Sequence, residues 1–224
     1  MLIQLRRRTK INNPEKTVLG YWNRERGASA YDEARLPQDN SFTEDQIEQV
    51  VRAANRLGAR IPYKNERKII KPLLQRKDEI ESKLRGIPVH LAIIDNYEEI
   101  PWENLKSLFD TFEMKYIGLA RMTKILHKKR PHLIPILDTN ILVNRYLEPL
   151  LQQNGIVVRE ETEKAICYVK ELKKDVDRNK DALIKLQHNL ASKGYDIYDI
   201  SIVRLVDILI WSHFFYRGER VQNI

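Results

Sequence analysis

A single cysteine, Cys167, leaves this 224-residue chain without an internal disulfide and without any cluster held by four cysteines. No apolar run approaches the roughly 20 residues of a membrane span. The longest candidate, residues 197–215, is interrupted by Asp199, Arg204, Asp207 and His213. The N-terminus, MLIQLRRRTK, places its arginines after a brief apolar start, the reverse of a secretory signal, so a cytoplasmic location is expected. There is no internal repeat and no low-complexity tract. Period-two alternation is confined to a weak stretch at residues 88–94, which points to an all-α fold. His127 and His132 flank Pro131 with no further ligands at metal spacing, so neither a metal nor a cofactor is expected.

What is present is positive charge. Lys and Arg number 39 against 31 Asp and Glu, a net charge of +8, which favours polyanionic partners without specifying a fold. The length suffices for a full core, as one large domain or two small lobes. Residues 1–40 form a basic N-terminal segment, rich in arginine and lysine and broken by Pro14, Gly20 and Gly27. Two readings of its first thirty residues stand open: an arm on a phosphate backbone, or a short element that packs Val18, Leu19, Tyr21 and Trp22 on the core. Residues 32–40 read as a polar loop.

Residues 41–155 read as a helical core, and 156–224 as further helices packed on it in one compact unit. Thr43 caps a helix and Gln46 completes a capping box, with Phe42 placed as a staple. Ile47, Val50, Val51, Ala54 and Leu57 share its apolar stripe, and Gly58 ends it. A helical stretch from Glu66 to Leu84 contains Pro72, which is expected to divide or kink it. Pro101 opens a helix through Phe112, and Leu119 to Lys129 forms the next. A helix opened by Asp138 or Thr139 runs to about Leu151. The charged run from Glu160 to Ser192, ended by Gly194, reads as a long helix with a solvated face of i,i+4 pairs. The apolar stretch 199–217 reads as a core helix, on which Arg204 and Asp207 are expected to pair with each other.

The stretch from Tyr116 to Tyr146 carries the densest functional signal. Gly118 suits the positive φ of a turn between two helices. A basic helix follows, bearing Arg121, Lys124, His127, Lys128, Lys129 and Arg130. An apolar run, Ile134-Pro135-Ile136-Leu137, then ends in Asp138 at the start of another helix, with Asn140 and Arg145 beyond it. This stretch resembles the helix-hairpin-helix DNA glycosylase superfamily. Tyr116-Ile117-Gly118-Leu119-Ala120 stands for the hairpin and Pro135-Ile136-Leu137-Asp138-Thr139-Asn140 for the aspartate segment. Ala120 replaces the second glycine of the family pattern. Met122 occupies the place of the Schiff-base lysine, and the spacing from Gly118 to Asp138 is slightly short. The chain as a whole, including Phe42-Thr43 and the segment from Arg204 to Trp211, is similar to an uncharacterised bacterial branch carrying this motif.

The resemblance implies a two-lobed helical, DNA glycosylase-like fold and a duplex DNA partner. It assigns Asp138 as the catalytic carboxylate, stabilising an oxocarbenium-like sugar or orienting a water. It assigns Gly118, Leu119, Ala120, Arg121, Lys124, Lys128, Lys129, Arg130, Asn140 and Arg145 to nucleic-acid contact. Lys124 lies two positions past Met122, about 200° round a helix, and is expected to point away from the reacting sugar. Any excision would then be hydrolytic and monofunctional. Two further readings stay open: a binding module that lacks catalysis, and a helical interaction protein that keeps only the motif. Asp138 is also among the best N-cap residues, which requires no chemistry at all.

Overall fold

The computed structural model describes residues 1–6, 9–59, 66–195 and 200–222. Arg7, Arg8, Tyr63 and Asp199 lie outside the described residues. Among those described, helices dominate, and the strands are two antiparallel pieces of two residues, β1 (Ile3–Gln4) and β2 (Lys10–Ile11), pairing Ile3 with Ile11. The described part of the basic N-terminal segment is therefore packed against the rest of the chain. After β2 come α1 (Pro14–Arg24) and α2 (Arg26–Asp32), which bury Val18, Tyr21, Trp22 and Tyr31. The expected loop at 32–40 thus begins with the last residue of a helix.

Helix α3 (Glu44–Arg56) starts where the sequence places it. Thr43 Oγ1 accepts from the Gln46 N–H at 3.3 Å, and Gln46 Oε1 accepts from the Thr43 N–H at 3.3 Å. Phe42 is fully buried, as is its staple partner Ile47. Gly58 closes the helix at φ 71, a conformation that favours glycine. The stretch after it divides into α4 (Glu66–Gln75) and α5 (Lys77–Arg85), with the break at Arg76. Pro72 sits inside α4 instead of ending it. Helices α6 (Trp102–Asp110) and α7 (Leu119–Lys129) are the two arms of the expected hairpin. They pack largely on different neighbours: α6 on α5 and the long helix α9 (Glu161–Leu190), α7 on α3 and α9.

Between Asp138 and α8 (Glu148–Gln153) the chain winds as a π-helix over Thr139–Leu147. Helix α9 ends in a π-helical turn, Ala191–Tyr195, where Gly194 takes φ 82. Its charged residues are not all solvated. Asp175 is fully buried, accepting from the Arg6 N–H at 2.8 Å and from the Tyr146 hydroxyl. The last helix, α10 (Ile202–Gln222), buries Val203, Leu205, Val206, Ile208, Leu209 and Ile210 without a polar stripe between them, which marks a central helix. It lies against α9, α1 and the π-helical stretch. Each of those aliphatic side chains contributes about 1.5–3 kcal/mol of burial, so α10 and α9 together form the spine on which the cavity-bearing segments rest. One continuous apolar core runs from Ile3 to Ile210. No helix among the described residues is long and apolar enough to cross a membrane.

Candidate functional site

Asp138 stands at the N-terminus of the π-helical stretch, and its Oδ1 accepts from the Ile141 N–H at 2.9 Å. Its backbone carbonyl accepts from both Leu142 and Val143, at 2.8 and 3.1 Å. Both ends of the residue are thus held by the helix it opens, while its side chain stays half-exposed. It faces a cavity of about 230 Å³ whose wall includes Lys124, Tyr21, Trp211, Arg204 and Asp207. The helix start leaves a positive partial charge beside the carboxylate.

The segment leading into Asp138 is fixed by side chains, since it belongs to no sheet. Asp207 Oδ2 accepts from the Ile136 N–H at 2.7 Å, and the Thr123 hydroxyl accepts from the Leu137 N–H at 3.0 Å. Asp207 also accepts from the Tyr168 hydroxyl at 3.1 Å. Burial pushes Asp207 up to about 7, against the opposing pull of the Ile136 N–H, Arg204 and Tyr168. Arg204 does not pair with Asp207 as its spacing suggested. Its Nε donates to Asp32 at 2.8 Å, and Nη2 donates to the same carboxylate at 3.3 Å and to the Tyr21 hydroxyl at 3.2 Å. Residues three apart on one helix share a face, but α10 is buried from Ile202 to Ile210, so each side chain finds its partner on another element.

The basic helix is a correction. Lys128, Lys129 and Arg130 are buried and turned inward, not presented as a phosphate-facing stripe. Lys128 Nζ donates to the Tyr31 carbonyl, and burial lowers its amine to about 8. Lys129 Nζ donates to the Pro37 carbonyl at 2.9 Å and to Asp39 at 2.7 Å. Arg130 donates to the carbonyls of Ile87, Leu84 and Asp39. These cations tie the 33–43 loop and the end of α5 to α7 by donating to carbonyls at helix ends and in the loop. His127 is buried among them, and desolvation holds its imidazole well below the usual histidine range.

The hairpin corner also departs from expectation. Gly118 has φ −86 and ψ 173, ordinary extended backbone, and the left-handed residue is Tyr116 at φ 74. The first helical N–H, that of Leu119, donates to Glu161 Oε2 at 3.3 Å, so a carboxylate already occupies the place proposed for phosphate. Leu119 is buried, Ala120 is half-buried, and Arg121 donates to the carbonyls of Ala59 and Tyr116 at 3.0 and 2.6 Å. Neither Gly118 nor Arg121 lines the Asp138 cavity; its rim comes instead from Glu25 and Gly27 and from Arg56, Leu57 and Gly58. Asn140 and Arg145 are exposed on the π-helical stretch, where Arg145 Nη1 donates to the Phe214 carbonyl at 3.0 Å.

Lys124 is the converse case. It lines the same cavity as Asp138, while Met122 is buried in the core. A residue expected on the side of the helix away from the reacting sugar therefore borders the Asp138 cavity. Arg56, Tyr21 and Trp211 are among the cavity residues the sequence did not single out for this site.

The fold and this site define a helical protein in which Asp138 and Lys124 border one small cavity with Tyr21 and Trp211. The chain belongs to a family of unknown function (DUF6308), whose family model matches residues 19–214. No match was found among curated proteins or among solved structures.

Proposed function

We propose that this protein is a DNA-binding helix-hairpin-helix protein that hydrolyses an N-glycosidic bond through Asp138. The observation that carries the reading is the cavity itself: a capped, half-exposed carboxylate opens onto a space walled by Tyr21, Trp211 and Lys124. A nucleotide turned out of its stack would bring its base against the aromatic wall and its sugar toward Asp138. The fixed charge would then favour the oxocarbenium-like sugar and hold the attacking water. The net charge of +8 supports a polyanionic partner. The test is a duplex carrying a single deaminated or alkylated base, scored for excision by cleavage at the resulting abasic site. Excision that Asp138→Asn abolishes while salt-sensitive binding survives supports the reading. Excision untouched by Asp138→Asn defeats it.

A second reading is favoured by the Glu161 contact to Leu119 and by the inward Lys128, Lys129 and Arg130. In it the motif serves packing, and the chain binds a partner without catalysis. The absence of salt-sensitive duplex binding, together with no excision, selects this reading.

A further inference from the structure

A cavity of about 830 Å³, larger than the one at Asp138, lies elsewhere on the molecule. It is a groove between α1, the β2 end and α10, and its volume falls within the roughly 300–1,000 Å³ of small-molecule sites. Three cations, Lys10, Lys16 and Arg24, stand on its wall. The one acid there, Glu15, forms an ion pair with Lys193 and is neutralised by it. Arg24 lies 4.6 Å above the Tyr216 ring, giving the groove a flat cationic-aromatic face.

Two features of the groove have no account in packing. Ser212 lines the groove and is only 2% exposed, and its buried hydroxyl has no hydrogen-bond partner among the described residues; nor does the buried Tyr216 hydroxyl. An unmet buried hydroxyl costs stability unless something else satisfies it. The other feature is Gly20. It sits inside α1, where glycine weakens a helix, yet a Cβ added there would meet nothing within 4 Å. No neighbouring backbone requires the glycine; its missing side chain leaves open space in the groove wall.

We propose that this groove binds a phosphate-bearing ligand with a planar body, of the nucleoside monophosphate class. The phosphate meets Lys10 and Lys16, the plane lies along Arg24 and Tyr216, and Ser212 supplies a hydrogen bond at the floor. A free mononucleotide and the 5′-phosphorylated end of a strand share this chemistry. The site is independent of the Asp138 cavity.

The experiment titrates the full chain calorimetrically with adenosine 5′-monophosphate, adenosine, inorganic phosphate and a 5′-phosphorylated trinucleotide. Adenosine and phosphate alone are expected to bind at least about tenfold more weakly than whichever phosphorylated probe binds, the loss expected from one charge-assisted contact. Binding of the trinucleotide alone identifies the strand end as the source, and binding of the monophosphate identifies the free nucleotide. Gly20→Leu, which fills the groove, should reduce affinity by at least about tenfold at unchanged or higher Tm. Ser212→Ala should weaken binding while raising the Tm of the unliganded protein. The proposal is overturned if neither phosphorylated probe binds, if Gly20→Leu binds as the unaltered chain does, or if binding is lost in Asp138→Asn instead.

Discussion

Arg204 donates from Nε to Asp32 at 2.8 Å, joining α10 to the end of α2 across 172 positions of sequence. Trp22 Nε1 donates to the other Asp32 oxygen at 3.0 Å, so the carboxylate is saturated and buried. Removing one partner leaves the other charged in an apolar setting, which costs more than the pair contributes. Arg204→Met should lower the unfolding free energy by about 3–5 kcal/mol in urea denaturation. The double variant Arg204→Met, Asp32→Leu should recover most of that loss, and an equal loss in both would mean that charge burial is not the cause.

Asp207 makes stability depend on pH with a defined sign. Its carboxyl sits at about 7 in the native chain against an ordinary value of 3.8, and it faces Arg204, Tyr168 and Asp32. The native state therefore holds a proton that the unfolded state releases. The stabilising contribution is complete below about pH 4 and is lost as pH rises toward about 7. Relative to Asp207→Asn, the unfolding free energy of the unaltered chain should fall by a few kcal/mol across that window and stay level above it. A difference that stays flat or climbs from pH 4 to 7 would show that Asp207 is ionised throughout.

Capping and chemistry at Asp138 can be separated by two substitutions. Asp138→Ala removes the acceptor for the Ile141 N–H and should cost about 0.5–2 kcal/mol. Asp138→Asn keeps an acceptor and should cost a small fraction of that. Thermal melts of both, set beside excision assays, show whether activity follows charge or stability.

Two glycines of the N-terminal helices should behave oppositely. A Cβ at Gly27 would stand 2.0 Å from the Arg56 carbonyl oxygen, a backbone atom that cannot step aside. Gly27→Ala should destabilise by about 1–3 kcal/mol and disturb the rim of the Asp138 cavity. Gly20→Ala meets no obstacle and should stabilise α1 by about 0.5–1 kcal/mol. Chemical denaturation of the pair decides both at once.

The helices were legible wherever local chemistry decides them. The Thr43–Gln46 box, Gly58 and the bounds of α7 follow from residues within a few positions. The site was less so, because its partners are distant: Asp32 for Arg204, Ile136 for Asp207, Glu161 for the Leu119 N–H. Lysines and arginines on α7 read as solvated because such residues usually are. Here they are buried to meet loop carbonyls, a need that only the folded chain displays. Helix α2 escaped notice because it is short and holds Gly27, whose purpose is clearance from Arg56 rather than a turn.

The wide winding after Asp138 has a bearing on how this chain can change in length. Both Leu142 and Val143 reach back to the same carbonyl, so the coil from Thr139 to Leu147 holds a surplus residue that an α-helix would not accommodate. Deleting one position there would let the coil tighten and swing everything beyond it by about 100°. Tyr146 would leave Asp175, and Arg145 would leave Phe214. Insertions and deletions are therefore expected in the exposed residues around Ile156 and Val157, with this coil kept at fixed length.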